Sequence, residues 1–516
     1  MKKIVSIALI FIIATSLTIP AFADTGCNCG INPVVFVHGF GSYSLYEYSN
    51  KGESTQVFPP NAQSIIKSVP TICDLLMNLT VTKNHKRSAD EFIKVLDNLM
   101  GRLACDKKGN SLYNVGIEKR ELPTSDHHKI TEYSFDTQSE KINTTSQYSY
   151  YYDFRLDPVE NAEGLNEYIK YVKKLTNHKK VSLVCHSQGN TVVLSYLAKY
   201  SNNDISDVLF LSPAYRGLSL IGELFNSDLN IRGKSDELEL YFKGILGFSP
   251  SKAIISALIS ILNDSGVMPY VTRILQDMLD EEFGYILDTE LLKVFGTMPA
   301  IWSFCPDEYY ESGKKNLFGN SKEYAGLIKK IDYYHYNIQN RLVQILNNCR
   351  AKGMKFSIIC GYDVSTIPIS DNPQGQTDML IDTKYMSIGA TCAPAGEMFP
   401  ENYTQKRYPG KNYISPDRRI DASTCLYPDR TWFIKGQLHD DFYNAYTKFL
   451  TSLLLFKGQP TIYNLSGYTQ FMTYDRNMNL VPVANAGYKQ TKDVKSSIPG
   501  IFDEFIIPDR IKIFAK

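Results

Sequence analysis

Residues 179–200, KKVSLVCHSQGNTVVLSYLAKY, predict the element around which the rest of the chain is organised. A short, largely β-branched apolar run predicts a buried strand, and the apolar spacing after the glycine predicts a helix. Ser187 falls on the sharp turn between them, which is the nucleophile-elbow arrangement. The apolar residues are Val181, Leu183 and Val184 in the strand, and Val192, Val193, Tyr196 and Leu197 in the helix.

The neighbours of Ser187 fit such a turn. Gly189 is expected where the helix passes close to the strand, and Cys185 is a small residue in the place of the usual first glycine. The N–H of Gln188 would then lie at the start of the helix, where it can bind an oxyanion. This context favours a catalytic serine over an ordinary polar turn.

A second buried strand is predicted at residues 33–41, PVVFVHGFG, where four apolar residues end abruptly in a glycine-rich turn. In α/β sheets this end of a strand is where ligands bind. We expect the N–H of Phe40 to be the second oxyanion donor, with Gly39 as the alternative. His38 is expected to brace the turn. The alternative of a dinucleotide-binding turn lacks its GxGxxG pattern.

Two later strand ends carry candidate partners for Ser187. Lys355–Cys360 predicts a strand, and the loop after it holds Asp378, with Asp382 as the competing acid. Asp378 is preferred because Ile381, three residues on, can anchor the loop in the core. His439 lies between the predicted strand Thr431–Lys435 and the last helix. The chain order Ser, Asp, His is that of serine hydrolases with a nucleophile elbow.

The N-terminal residues 1–23 have the parts of a removable secretion signal. Two lysines precede the apolar run Ile4–Ile13, and Ala21-Phe22-Ala23 is a cleavage site, so the secreted chain is expected to begin at Asp24. The apolar run is too short to span a bilayer. No later segment is expected to span one either, since Ala253–Leu262 is apolar but short.

Composition bounds the class of protein. The chain has 516 residues, is 43% hydrophobic and has a net charge of +1, so it can bury a large core and is not expected to bind nucleic acid. Ten cysteines in an exported chain predict disulfides rather than a metal site. Cys27 and Cys29 give only half of a four-ligand cluster. Cys73–Cys105 is a candidate disulfide, and Cys185 is expected to stay reduced. No metal and no cofactor are expected.

Strand and helix signals alternate along much of the chain, which predicts an α/β fold with a mainly parallel sheet covered on both faces. One domain is expected over residues 24–457. It carries a lid-like insertion at 42–148, whose helical signals lie around Ala62–Ile66 and Ala89–Leu103, and a helical cap at 217–350. Residues 458–516 form an extension of short predicted strands to which the sequence gives no function.

Taken together, these blocks resemble the lecithin:cholesterol acyltransferase-like family of α/β-hydrolases, which includes lysosomal phospholipase A2 and phospholipid:diacylglycerol acyltransferases. The blocks are PVVFVHGFG (33–41), Tyr152-Asp153-Phe154-Arg155 with Pro158, VCHSQG (184–189), SPAYRG (212–217), MPAIW (298–302) with Pro306, the strand ending in Cys360, the Asp378 region with Cys392, and His439 with its helix.

The resemblance implies an α/β-hydrolase fold, a catalytic triad of Ser187, Asp378 and His439, and an oxyanion hole formed by Phe40 and Gln188. It also implies a disulfide between Cys360 and Cys392. Tyr152, Asp153 and Arg155 are interpreted as an ion-paired structural brace rather than as catalytic residues.

The expected activity is that of a secreted serine esterase or O-acyltransferase, of lipase or phospholipase type, acting on a lipid ester at a membrane or micelle surface. Water and a lipid hydroxyl are both open as the acyl acceptor. The alternatives are a carbohydrate esterase or peptidase on the same fold, or a non-catalytic surface-binding protein built on it.

Overall fold

A computed structural model shows an α/β protein with a mostly parallel central sheet. The secretion signal and the pair Cys27 and Cys29 lie outside the described residues, as does all but one residue of Ala253–Leu262. The structure describes residues 32–118, 148–231, 263–364, 375–442 and 444–485, with the short stretches 233–235, 238–239, 260, 366 and 368–370.

The central sheet has eight strands, of which the first seven in the order below run parallel and the last is antiparallel to its neighbour. Their order across the sheet is β5, β1, β6, β7, β8, β11, β12 and β13. The strands are β1 (Val34–Val37), β5 (Tyr148–Tyr150), β6 (Val181–His186), β7 (Ile205–Leu211), β8 (Lys355–Tyr362), β11 (Thr431–Lys435), β12 (Phe471–Tyr474) and β13 (Leu480–Pro482).

The strand order reverses at β1. From β1 the chain goes to the edge strand β5, then crosses back to β6 on the other side of β1 and continues outward from there. In a parallel sheet such a reversal opens a crevice at the carboxyl ends of the two central strands. The segments after β1 and β6, which hold Phe40 and Ser187, therefore lie at the usual ligand-binding position of this architecture.

Apolar side chains cover both faces of the sheet, as the sequence predicts for parallel strands. Val35 and Val37 of β1 pack into a large core with the helix residues Leu165 and Ile169. The alternate residues of the strands pack on the other face against the last helix. That second set is Val34, Phe36, Val184, Leu209, Leu211, Ile359, Trp432 and Ile434 with Tyr446, Phe449, Leu450 and Leu453.

The described residues contain twelve α-helices, and between β7 and β8 they form helices and no strand of the sheets. The helices are α1 (Ala62–Met77), α2 (His85–Met100), α3 (Pro158–Thr176), α4 (Gly189–Tyr200), α5 (Ser219–Phe225), α6 (Val267–Ile286), α7 (Pro299–Trp302), α8 (Asp307–Phe318), α9 (Ala325–Tyr334), α10 (Leu342–Ala351), α11 (Thr383–Met386) and α12 (Asn444–Leu455).

The region between β1 and β5 is more regular than the sequence predicts. It holds an antiparallel sheet of β2 (Leu45–Tyr48), β3 (Ser54–Phe58) and β4 (Val115–Ile117), which the sequence analysis misses because each strand is only three to five residues long. Helices α1 and α2 fill the space between β3 and β4 in the chain. A separate antiparallel pair, β9 (Thr391–Cys392) and β10 (Ile420–Asp421), lies between β8 and β11 in the chain.

Arg155 joins this region to the main sheet. Its guanidinium is fully buried and pairs with Asp153 at 2.6 Å, while it also donates to the carbonyl oxygens of Leu103 and Val115 at 2.9 and 3.1 Å. A buried guanidinium must have its N–H groups paired, and these contacts supply the partners. The geometry agrees with the interpretation of this stretch as a brace.

Part of the C-terminal extension belongs to the central sheet. β12 pairs with β11 in parallel, through Phe433 opposite Phe471, and β13 pairs with β12. The predicted boundary at residue 457 therefore does not separate two structural units. Residues 486–516, including the third Pro-Asp-Arg tripeptide, lie outside the described residues.

Candidate active site

Ser187 lies on a strained turn between β6 and α4. Its φ is +52°, a conformation that residues other than glycine seldom adopt and that persists only where surrounding contacts enforce it. Gly189 is required two residues later because a Cβ there would overlap the carbonyl oxygen of Val37 and lie 2.8 Å from that of His38. The predicted elbow, with a glycine at the close approach of helix and strand, is present.

Asn190 fixes the turn. Its side-chain amide donates to the carbonyl oxygens of Ser187 at 2.8 Å and Leu211 at 3.1 Å, and its oxygen accepts from the Cys185 thiol at 3.2 Å. The N–H of Ser187 donates to the carbonyl oxygen of Leu211 at 3.1 Å. The polar groups of the turn are thus satisfied by the neighbouring strand β7, and the serine backbone is held in one conformation.

The three side chains predicted as a triad meet in one hydrogen-bonded line. The hydroxyl Oγ of Ser187 is 2.9 Å from Nε2 of His439, and Nδ1 of His439 is 2.8 Å from Oδ2 of Asp378. All three residues are buried. With Nδ1–H donating to the carboxylate, Nε2 is left as the acceptor for the serine proton.

The loop before α11 selects Asp378 rather than Asp382. The second carboxylate oxygen of Asp378 accepts the N–H groups of Ile381 at 2.8 Å and Leu380 at 3.1 Å. Asp382 instead accepts from the N–H and hydroxyl of Ser219, both at 2.8 Å. Ile381 is fully buried, as the preference for Asp378 requires. Asp382, the competing acid, is thus bonded to the first residue of α5 and not to His439.

The two charged members of the line shift each other's pKa. Burial alone would raise the pKa of Asp378, but the His439 ring beside it and the two loop N–H groups hold that pKa below its ordinary value. Burial alone would lower the pKa of His439, but the adjacent Asp378 carboxylate has the larger effect and raises this pKa to about 9. Asp378 therefore stays ionised and stabilises the protonated imidazole.

The turn after β1 lies directly against the serine. A Cβ on Gly39 would lie 2.9 Å from the Cβ of Ser187, so the two turns are in van der Waals contact. Within the described chain, no protein acceptor takes the N–H of Phe40 or of Gln188. Phe40 directly follows Gly39 and Gln188 directly follows Ser187, so the two predicted donors lie on adjoining turns.

His186 is a site residue that the sequence analysis does not single out. Its Nε2 is 2.8 Å from the carbonyl oxygen of His439, so it ties the histidine loop to the elbow. Burial, together with the neighbouring His439, lowers the pKa of His186 to about 4, and its ring stays neutral. Its place directly before Ser187 is the signal that could have identified it.

Gly361, at the end of β8, is a second residue missed from sequence. A Cβ there would lie 2.6 Å from the Cβ of Asp378 and 2.7 Å from the carbonyl oxygen of Gln437. A side chain at this position would therefore push the acid and the histidine loops apart. The only sequence signal is a glycine at the end of a predicted strand.

Metal-ligating groups occur beside the triad. Donor atoms of His186, His439 and Asp440 lie within 4.8 Å of one another. Both ring nitrogens of His439, however, face Ser187 and Asp378, and Nε2 of His186 faces a carbonyl oxygen. His439 is thus already engaged by the hydrogen-bonded line, and a metal at this group would have to displace its contacts with Ser187 or Asp378.

The predicted disulfides do not form. Cys360 and Cys392 are both free thiols: Cys360 is enclosed in β8, and the thiol of Cys392 is directed at the carbonyl oxygen of Ala390 at 3.7 Å. Cys73–Cys105 is also wrong, since Cys73 is exposed on α1 and Cys105 is buried. Cys185 is free, as expected. Apart from Cys73 and the half-buried Cys392, the described thiols are buried in the core.

The arrangement can carry out nucleophilic chemistry. A buried hydroxyl faces a ring nitrogen that can take its proton, and a carboxylate orients that ring. No family model matches the chain, and a comparison with curated proteins finds no match.

Proposed function

We propose that this protein is a serine esterase or O-acyltransferase that acts on lipid esters. The observation that carries the proposal is the hydrogen-bonded line from Ser187 through His439 to Asp378. We further propose that the α/β fold is that of the α/β-hydrolases, that the chain belongs with the lecithin:cholesterol acyltransferase-like proteins, and that it is secreted.

In the proposed reaction, Oγ of Ser187 attacks the carbonyl carbon of the ester while its proton passes to Nε2 of His439. The N–H groups of Phe40 and Gln188 hold the resulting oxyanion; removing one such donor typically costs about 3–4 kcal/mol of transition-state stabilisation. The intermediate then collapses, the leaving alcohol takes the proton from Nε2, and the acyl group remains on Ser187.

Deacylation repeats these steps with a new acceptor. Water or a lipid hydroxyl gives its proton to Nε2 of His439 and attacks the acyl carbon, and Ser187 leaves with that proton. Asp378 remains a carboxylate throughout because its pKa lies below the ordinary range. The two outcomes, hydrolysis and acyl transfer, share every protein group and differ only in the acceptor.

The surroundings of the oxyanion turn support an apolar acyl group. The ring of Phe40 packs on Phe154 with 4.4 Å between centroids and lies 6.2 Å from Phe304, while Phe58 lies 5.0 Å from Phe154. Such a cluster favours a hydrocarbon chain over a hydroxyl-rich sugar, because a sugar needs polar partners when it is buried. It therefore favours a lipid ester over a carbohydrate ester.

The test is the Ser187→Ala variant assayed on a chromogenic fatty-acyl ester, with Ser312→Ala on an exposed part of α8 as the matched control. We expect loss of turnover and of fluorophosphonate labelling in the first variant and neither loss in the second, with unchanged circular dichroism in both. Retained turnover in Ser187→Ala would contradict the mechanism. Absence of labelling in the native protein would favour a non-catalytic binding role.

The acceptor and the acyl preference need separate assays. A phospholipid and a neutral glyceride, each with and without an alcohol acceptor, distinguish hydrolysis from transfer. Acetyl and long-chain esters compared on the same protein distinguish a carbohydrate esterase from a lipase. We expect higher kcat/KM for the long chain, since the aromatic cluster beside the turn gains apolar contact with each added methylene.

A further inference from the structure

Helix α1 carries an apolar face that the protein core does not cover. The helix and the π-helical turn Asn78–Thr82 after it form a 21-residue segment, Ala62–Thr82, whose most apolar window has a mean hydropathy of 1.2 and is only 17% buried. By length and composition it could span a membrane, contrary to the expectation from sequence. Its polar residues and Pro70 conceal the pattern there.

The segment is apolar on two opposite sides. The inner side packs into a core with helices α2 and α6 through Leu75 and Leu79, so it is held on the protein. Residues three or four apart lie on one side of a helix. The outer side consists of Ala62, Ile66, Val69, Pro70, Cys73, Met77 and Val81, and every one of them is exposed.

The exposure of this outer stripe is large. The exposed fractions are 68% for Ile66, 49% for Val69, 54% for Met77 and 74% for Val81. Single exposed apolar residues are normal on protein surfaces, but a stripe that extends along about five turns of helix is not. A helix packed on its inner side with an apolar outer stripe has the form of an element that lies in a lipid interface.

The stripe begins four residues after Phe58, which packs beside the candidate active site. Phe58, at the end of β3, would contact a Cβ on Gly41 at 3.1 Å, so it packs on the turn that follows β1. Asn61 caps α1 three residues later by accepting the N–H of Ser64 at 2.9 Å. The stripe thus begins beside the turn that is proposed to hold the oxyanion.

Charge and composition favour lipid over a second protein chain. The exposed cations Lys83, Lys86 and Arg87 follow the stripe directly in the chain, and cations near a bilayer are attracted to anionic lipids. Of the three, Lys86 lies 3.9 Å from Glu282 of α6 and is therefore partly neutralised. The stripe holds no aromatic or arginine side chain, the types that dominate binding energy at protein interfaces.

From these observations we infer that the outer face of Ala62–Thr82 inserts into the surface of a lipid bilayer and docks the protein there. The inference rests on the proposed function, since it gives the ester substrate a route from the bilayer to Ser187. The helix lies along the surface rather than across it, because its inner side remains packed on α2 and α6.

The experiment measures co-flotation with vesicles of equal parts phosphatidylcholine and phosphatidylglycerol. The protein and its Ser187→Ala variant are both expected to float. The double variant Ile66→Glu, Met77→Glu is expected to lose more than about tenfold in partition coefficient, because each side chain withdraws most of its apolar surface from lipid. The matched control, Leu112→Glu with Leu455→Glu, changes two exposed apolar residues elsewhere and should bind as the native protein does.

Activity separates this inference from the proposed function. The double variant should hydrolyse a water-soluble butyrate ester as the native protein does and lose activity only on vesicle-borne ester. Flotation without turnover of any ester would overturn the proposed function and leave the lipid surface standing. Unchanged flotation of the double variant would overturn the lipid surface, as would a native dimer that this variant converts to a monomer in sedimentation.

Discussion

Replacing Asp378 by Asn gives the sharpest test of how the candidate site works. The change keeps the size of the side chain but removes the charge 2.8 Å from Nδ1 of His439. It also offers an amide N–H₂ to Nδ1, which favours the tautomer whose proton is on Nε2. Nε2 would then face Ser187 as a donor and could no longer take the serine proton.

The size of the effect follows from the pKa shifts. The Asp378 carboxylate outweighs burial and raises the pKa of His439 from its ordinary 6.5 to about 9. Without that charge, burial is the main remaining effect, so the pKa should fall below 6.5. Loss of the correct tautomer lowers kcat by about 10⁴-fold in enzymes with this arrangement. We expect a loss of that order here.

The assay is the pH dependence of kcat/KM for a chromogenic ester. A general base acts when unprotonated, so the rate of the native protein should rise with pH and level off above the raised pKa of His439. In Asp378→Asn the residual rate should level off at lower pH. Asp382→Asn is the control, because Asp382 bonds Ser219 and not His439. A midpoint that moves with Asp382, or that stays fixed in Asp378→Asn, would refute the assignment.

Two further predictions concern the scaffold, each measured as a thermal unfolding temperature and an unfolding free energy. Gly189→Ala should destabilise the protein by about 1–3 kcal/mol, because the added Cβ would overlap the carbonyl oxygen of Val37. The control is Gly284→Ala on helix α6, where the Cβ has open space and should stabilise the protein by up to about 1 kcal/mol. Equal effects of the two variants would contradict the close approach at Gly189. Arg155→Met should lower the unfolding free energy by about 3–5 kcal/mol, because it leaves the Asp153 carboxylate, which is 10% exposed, without its partner. The control Lys199→Met breaks an exposed pair with Glu163 and should cost less than about 1 kcal/mol. A small loss at Arg155 would show that the brace is dispensable.

The sequence predicts those parts of the site that depend on local pattern. Ser187 and His439 each follow a short apolar run that ends in a turn, and such runs form buried strands of one parallel sheet. Since the carboxyl ends of parallel strands share one edge, residues some 250 positions apart could be expected to meet. To predict Asp378, a further argument was needed, namely that Ile381 anchors its loop in the core. In the structure Ile381 is buried and donates its N–H to Asp378.

The parts that the sequence could not predict depend on distant pairing. Strands β2, β3 and β4 form only because Leu45–Tyr48 lies between two partners, one of them about seventy residues away, and no three-residue run such as Val115–Ile117 signals that. Edge strand β5 is rich in tyrosine and follows a polar stretch, so its apolar signal is weak. The disulfide implied by resemblance is also missing, since Cys360 and Cys392 are both free thiols.

The two neighbouring histidines explain why only one ring can act as the base. His186 and His439 lie with 4.9 Å between ring centroids, yet their pKa values are shifted in opposite directions. His439 faces the Asp378 carboxylate, which raises its pKa to about 9. His186 is enclosed and lies beside the His439 ring, and these two effects outweigh its bond to a carbonyl oxygen, so its pKa falls to about 4. Opposite shifts in adjacent groups fit the separate roles that we propose for them: His439 would exchange the proton, and the neutral His186 would hold the loop that positions it.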